Sequence, residues 1–307
     1  MSDVFPAEAD AAAAVWHFDG GDALGAWQGK GHGEAAGPRA PIYPKFGMEN
    51  RSAEFAGKDA ALVVADAGAA EAAGLRFGKG DAITMEAWVK VRAIRDGQMV
   101  YLIGKGRNRT KEFGDNNQNY ALRLKGVKGR AAIGFLFTAE AVEGQPASWH
   151  RWWSTEGFQI DTGWHHVALT YTFGQKGSLH GYIDGAEMKG AWDLGGATDH
   201  GPVSDGDALV IGSGYSRGPA ETLDGWLDEV AIHRVALSAA TLKERFAVAP
   251  AALPAVDRAK LPPGRVLVEL CEKGVPEKTL WPVEPPVATE SYLEDAFGFA
   301  EVPQKYI

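Results

Sequence analysis

Apolar and polar positions alternate with a period of two through most of this chain, in short runs broken by glycine-, asparagine- and aspartate-rich stretches. Residues 15–19 alternate and stop at Gly20-Gly21-Asp22, a strong turn signal. Further runs lie at 52–64, around Phe55-Ala56-Gly57, and at 83–91 and 99–103. The runs 120–124 and 132–137 flank the turn residues 126–129 and are expected to pair antiparallel. Residues 165–172 and 179–183 are expected to pair next, with 209–211 and 227–233 as their partners. Period two marks strands with one face buried. Many short strands divided by turns predict an all-β, antiparallel two-sheet sandwich. Its expected core between the sheets is Trp88, Trp164, Leu169, Ile183, Ile211, Val230 and Ile232.

One segment, 238–246, has helical spacing, with Ser238 as N-cap and Leu242 and Phe246 on one face. No long amphipathic helix interrupts the strands, which excludes a parallel α/β sheet. The Ala- and acid-rich residues 1–14 predict an N-terminal arm, and 15–249 the sandwich domain. The Pro- and Ala-rich stretch 250–263 reads as a linker. Residues 264–307 read as the start of another module, with a strand pattern at 265–270 and an extended, proline-bound run at 281–286. Two stretches predict long exposed loops: 104–119, and an insertion holding Trp149, His150, Arg151, Trp152 and Trp153.

Composition narrows the class. Hydrophobic residues at 45% and charged residues at 23% describe a chain able to bury a core. The net charge of −9 argues against nucleic acid and anionic membrane surfaces, which recruit basic patches. No apolar run approaches the roughly 20 residues of a membrane span. The N-terminus lacks the basic and apolar regions of a signal peptide, which fits a cytoplasmic chain and equally one beginning after a removed signal. Cys271 stands alone, so no intrachain disulfide is expected, and it reads as a small apolar residue. Gly29-Lys30-Gly31-His32-Gly33 lacks the strand-then-helix setting of a nucleotide loop.

Four stretches carry a family likeness: residues 83–91 (Ile83-Thr84-Met85-Glu86-Ala87-Trp88-Val89-Lys90-Val91), residues 164–171 (Trp164-His165-His166-Val167-Ala168-Leu169-Thr170-Tyr171), Asp184-Gly185, and residues 225–238, from Gly225-Trp226-Leu227-Asp228 to Ser238. Together they resemble the laminin-G-like, concanavalin A-like jelly-roll domains of large secreted proteins of planctomycete or verrucomicrobium type. The resemblance spans roughly residues 12–246. It implies a non-catalytic binding or scaffolding module of a larger extracytoplasmic protein. Its ligand would be a polysaccharide or a protein, and its neighbours other domains of the parent chain. A glycan-cleaving enzyme of the same fold and a purely structural spacer remain alternatives, because this sandwich hosts all three. The resemblance also implies a structural calcium, with Asp228, Gly57 and Asp19 at the matching positions, and Ala56 where the family often carries an acid.

The tryptophans of the insertion are the other candidate site. Indole faces stack on sugar rings, and arginine or asparagine donors hold hydroxyls. Trp149, Arg151, Trp152 and Trp153, with Arg107 and Asn117 on the other loop, form the expected ligand-binding set. Asn108, Arg109, Asn116 and Asn119 would extend its polar rim. The alternative is that the insertion packs on a sheet and buries its rings. His165 and His166, adjacent on a strand, point to opposite faces and do not share a ligand. No paired-carboxylate strand, nucleophile elbow or zinc motif is present, and Glu86 stands alone in its strand.

Overall fold

The structure is a computed structural model. It describes residues 12–246 except 21–23, 41, 67–73, 108–111, 114–115 and 215–217, together with the backbone of 266–272 and 275–283. The chain divides into two compact units, Met1–Val248 and Ala249–Ile307. The first opens with β1 (Ala12–Trp16), β2 (Ala26–Gln28), β3 (His32–Ala36), β4 (Arg51–Ala56) and β5 (Ala61–Val64). Longer strands follow: β6 (Ala82–Ala93), β7 (Met99–Lys105), β8 (Tyr120–Val127), β9 (Arg130–Ala139) and β10 (Ser148–Gln159). Next come β11 (His165–Thr172), β12 (His180–Ile183), β13 (Ala186–Met188) and β14 (Gly190–Leu194). The unit closes with β15 (Leu209–Ile211), β16 (Asp224–His233) and helix α1 (Ala239–Phe246).

The first sheet has the order β13-β12-β11-β6-β16-β4-β3, with β1 also paired to β16, and the second β14-β10-β9-β8-β7-β15-β5-β2. The pairings are antiparallel. The fold class read from the alternation is therefore the fold that forms. Inward positions interleave between the sheets: Ile83, Met85, Ala87 and Val89 of β6 meet Leu122, Leu124, Ile133, Phe135 and Phe137 of β8 and β9 in one core cluster. Phe135, Phe137, Tyr171 and Phe173 pack there ring against ring, at centroid distances of 5.3–6.2 Å. Each such buried side chain contributes roughly 1.5–3 kcal/mol.

Several expectations need correction. β11 pairs with β12 as expected, but its other neighbour is β6, and β15 lies in the opposite sheet between β5 and β7. Alternation reports which face a residue uses and is silent about which strand sits beside it. The tryptophan insertion is strand β10, paired with β9 and β14. The loop after β7 is not simply exposed: Asn117, Gln118 and Asn119 are buried. The last residues assigned to the N-terminal arm belong to β1, and residues 1–11 lie outside the described residues. All seven expected core residues are buried, but Trp88 and Trp164 are not part of the cluster between the sheets. Trp88 lies on the outer face of the first sheet, against Tyr43 (5.3 Å), Phe46 (5.2 Å) and Phe246 of α1 (5.8 Å). Tyr43 Oη accepts from the Trp164 backbone N–H at 3.1 Å and donates to its carbonyl at 3.2 Å.

Helix α1 begins where Ser238 accepts from the Thr241 N–H at 3.1 Å, the capping role its residue type predicts. Leu242 anchors it on Ala168, Tyr182 and Leu237, again on the outer face of the first sheet. In the second unit, β17 (Val266–Glu272) pairs antiparallel with β18 (Val275–Val283). Pro276 and Pro282 fit there because both strands of a two-stranded sheet are edges. The expected linker 250–263 and the tail from 284 lie outside the described residues, and Cys271 falls in β17.

Trp88→Ala removes the ring on which the 43–46 loop and α1 rest. The expected cost is about 3–5 kcal/mol in chemical denaturation, and a loss below about 1 kcal/mol would contradict this packing.

Candidate functional site

Residues facing outward from the second sheet form rows across its strands. Tyr101 of β7 faces Arg123 of β8, Arg123 faces Gly134 of β9, and Gly134 faces Trp153 of β10. The next row holds Ala121, Leu136 and Arg151, and beyond it Thr138 faces Trp149. Glycine at 134 is what lets the row close: a Cβ there would sit 2.2 Å from the Trp153 ring. The indole therefore lies over the bare backbone and reaches towards β8. The Arg123 guanidinium sits over the Tyr101 ring (4.5 Å) on one side and over Trp153 (5.6 Å) on the other. Lys125 Nζ is 5.7 Å from the Trp153 centroid.

Arg107 joins this row to Trp149. Its guanidinium lies 4.9 Å from the Trp149 ring, and Nη1 donates to Tyr101 Oη at 3.3 Å. Trp149 is half-buried, and its Nε1 donates to Asn116 Oδ1 at 3.1 Å. Trp149, Arg107, Tyr101, Arg123 and Trp153 thus form one continuous aromatic and cationic strip.

Of the expected ligand-binding residues, Trp149, Arg151, Trp153 and Arg107 share this face. Trp152 does not, because adjacent strand residues point to opposite faces, and its ring is packed in the core. Arg151 is held by Asp193 through two bonds of 2.8 and 2.9 Å. Asn117 is buried and fully engaged: Nδ2 donates to Asp205 and Asp207 at 3.0 and 2.9 Å, and Oδ1 accepts from the Arg107 N–H at 2.8 Å. It shapes the loop carrying Arg107. Asn108 and Arg109 lie outside the described residues. Tyr101 and Arg123 were missed by sequence reading, although alternation in 120–124 already places Arg123 opposite to Leu122 and Leu124.

The residues matched to a calcium site are not brought together as one. Asp224 faces Ala56 and Leu227 faces Ala53, so Gly57 lies beside Asp224. At roughly 3.3 Å per residue, that is on the order of 15 Å along the strands from Asp228. Asp228 is fully buried, whereas Asp19 is exposed. Both Asp228 oxygens are occupied, Oδ1 by the Glu229 N–H (2.9 Å) and Oδ2 by Asn50 Nδ2 (2.6 Å). Calcium takes six to eight oxygens, and this arrangement does not fit it. Among the described residues no group of three or more His, Cys, Asp or Glu side chains is placed to hold a metal ion.

A cavity of about 230 Å³ opens on the outer face of the first sheet, lined by Lys45, Glu86, Trp88, His166, His233 and Arg245 among others. Glu86, solitary in its sequence run, is buried at its floor. His166 Nε2 lies 3.1 Å from Glu86 Oε2, His233 Nε2 lies 2.7 Å from Oε1, and Arg245 Nη1 also bonds Oε1. A carboxylate only accepts, so each imidazole donates through Nε2. Burial alone would raise the Glu86 pKa, but these bonds and the nearby charges hold it well below the carboxylate range. Its oxygens are saturated, which makes it a joint between β6, β11, β16 and α1. His165, on the opposite side, stacks on Phe158 and bonds Asp184 at 2.7 Å.

Two buried carboxyls give opposite pH signatures. Glu86 is depressed, so its stabilisation is present above its unfolded value of 4.5 and lost as pH falls below it. Glu86→Gln is expected to cost roughly 3–5 kcal/mol near neutral pH and to flatten the acid limb of urea-unfolding profiles. Asp228 is pushed up to about 8, chiefly by burial, with Glu229's charge adding and its hydrogen bonds opposing. The folded state therefore keeps a proton that the unfolded state releases near 3.8, and stability falls as pH rises from there to about 8. Melts of wild type and Asp228→Asn between pH 5 and 9 check this: the wild-type decline, at most about 1.4 kcal/mol per pH unit, should shrink in the variant.

Among solved structures, the chain is similar to domain 4 of an extracellular arabinanase from Geobacillus stearothermophilus, determined in complex with arabinotriose. The identity is 14%, with 76% of this chain and 97% of that chain covered and a TM-score of 0.49. It is also similar to the binding domain of a paraclostridial mosquitocidal protein, at 11% identity, covering 72% of this chain and 47% of that one, with a TM-score of 0.48. Trypanosoma rangeli sialidase follows at 15% identity, 64% of this chain and 27% of that one, with a TM-score of 0.40. The chain thus spans less than half of the last two, and at these scores none bears on ligand or activity. No curated protein matches it by sequence. The family described as the concanavalin A-like lectin/glucanases superfamily matches residues 65–243. That is more than half of the 307 residues, and it takes in the strands from β6 to β16 that build both outer faces. The chain belongs to this superfamily.

Proposed function

We propose that this chain is a non-catalytic glycan-binding module acting outside the cytoplasm, with the outer face of the second sheet as its binding surface. The observation that carries this reading is Trp149. Its ring is half-buried, backed by the Arg107 guanidinium at 4.9 Å and fixed in orientation by Asn116 at 3.1 Å. A fixed aromatic face beside cationic and amide donors is the chemistry that receives a sugar ring. The same sheet supplies rigid strands beneath it, so little conformational entropy opposes binding. The fold family is compatible with lectin-type binding and with glycan hydrolysis alike, so the fold alone does not choose between them. Three carboxylates near the strip are already engaged, which favours binding: Asp193 by Arg151, and Asp205 and Asp207 by Asn117. No helix among the described residues is long and apolar enough to cross a membrane.

Trp149→Ala tests the surface. Affinity electrophoresis in gels cast with plant and microbial polysaccharides should show the wild type retarded and the variant released. The melting temperature should shift little, because the ring is partly exposed. Unchanged retardation in the variant would remove Trp149 from the site.

A further inference from the structure

Arg123 is a charged feature of this face that packing does not explain. It is 6% exposed, on a central strand, and its Nε has no hydrogen-bond partner. Trp153 Nε1, in the same cross-strand row, is also buried without a partner. Burying polar groups without partners costs free energy, and doing so with a charge costs more. Native structures leave few such groups, and each asks for a reason. Burial and the Arg107 and Arg151 charges lower the Arg123 pKa, against Tyr101 and Glu221. Even so, an arginine keeps its charge. The site is thus an incompletely compensated cation between two aromatic rings.

We infer that Arg123 receives the carboxylate of a uronic acid unit, so that the ligand of this face is a carboxylate-bearing polysaccharide. This rests on the glycan reading of the same surface. Ring faces lie against the guanidinium, Tyr101 at 4.5 Å and Trp153 at 5.6 Å, and its Nε has no acceptor of its own. A planar carboxylate matches the guanidinium fork bidentately. Arg107 beside Tyr101 and Lys125 beside Trp153 extend positive charge along the strip on either side of Arg123. Arg151 adds less, since Asp193 already holds it. Charge complementarity therefore selects an acidic chain over a neutral one, while Trp149 supplies stacking common to both.

The experiment is calorimetric titration of the full chain with polygalacturonate and alginate oligomers, their carboxyl-methylated forms, neutral galactan and dextran sulfate. At least one uronate should bind at least tenfold more tightly than its methyl ester. Arg123→Gln should lose that preference while still binding the ester, and Arg123→Lys should restore only part of it. Should the variants fail to fold, the acid-against-ester comparison on wild type still decides. Equal affinity for acid and ester overturns the carboxylate assignment and leaves the glycan reading standing. Tighter binding of dextran sulfate than of either uronate overturns it as well. Binding of nothing in the panel overturns both.

Discussion

A strand presents every second side chain to each face, so a sandwich that fills its core from one set must find an environment for the other. That constraint governs this molecule. Both sheets carry tryptophans on their outward positions, Trp88 on β6 and Trp149 and Trp153 on β10. The first sheet covers its outer face with chain: α1 and the 43–46 loop close over Trp88 and the Ala168–Tyr182 patch. The first also stacks Arg92 on Trp226 of β16 at 4.2 Å, and the second relies on such charge. Its rings lie against guanidinium groups, an arrangement worth roughly 0.5–2 kcal/mol per contact, and Gly134 lets Trp153 rest on the backbone. One outer face is thereby covered at Trp88, with a cavity of about 230 Å³ open beside it, and the other is left polar at its tip and aromatic at its base.

The same division runs through the buried charges. Glu86 and Arg123 both sit on central strands beneath an outer face. Glu86 has an arginine and two imidazoles, one from each flanking strand, β11 and β16. Such a network adds little net stability over an apolar replacement but penalises any misplaced docking of α1, since displacing Arg245 strips a buried carboxylate. Specific placement is the gain. Arg123 has ring faces and the charge of Glu221 but no hydrogen-bonded anion, so its charge is only partly compensated. A fold that compensates one buried charge so fully and the other so partially treats them differently for a physical reason, and an external anion supplies one.

The sandwich was legible in the sequence because alternation and turn residues are local signals. The capping of α1 by Ser238 and the antiparallel β8–β9 pair followed for the same reason. Neighbour relations were not legible: placing β15 beside β5 and β7 depends on sheet-wide topology, which no local run encodes. Reading the segment of Trp149, His150, Arg151, Trp152 and Trp153 as a loop insertion failed because Trp, His and Arg at consecutive positions obscure a period-two pattern whose two faces are both aromatic. Once they form a strand, Trp152 and Trp153 separate to opposite faces. The Glu86 joint joins residues 80, 147 and 159 positions apart, and no spacing rule reaches across such gaps. The residues matched to calcium are set apart by register, since strand contact alone does not bring Gly57 level with Asp228.

A chain of net charge −9 repels polyanions at long range, and an acid-binding face on it requires a resolution in distances. At physiological ionic strength the Debye length is about 8 Å, so charges elsewhere on the surface are largely screened at the strip. At the strip Arg107, Arg123 and Lys125 lie against the aromatic rings with Glu221 nearby, and the buried Arg123 is screened least. The acidic remainder then works as a filter. It slows encounter with dense polyanions such as nucleic acids, whose binding rests on many phosphate contacts, and leaves selection to a few oriented donors. An aromatic-flanked guanidinium reads the geometry of one acidic group, a discrimination that net charge does not provide.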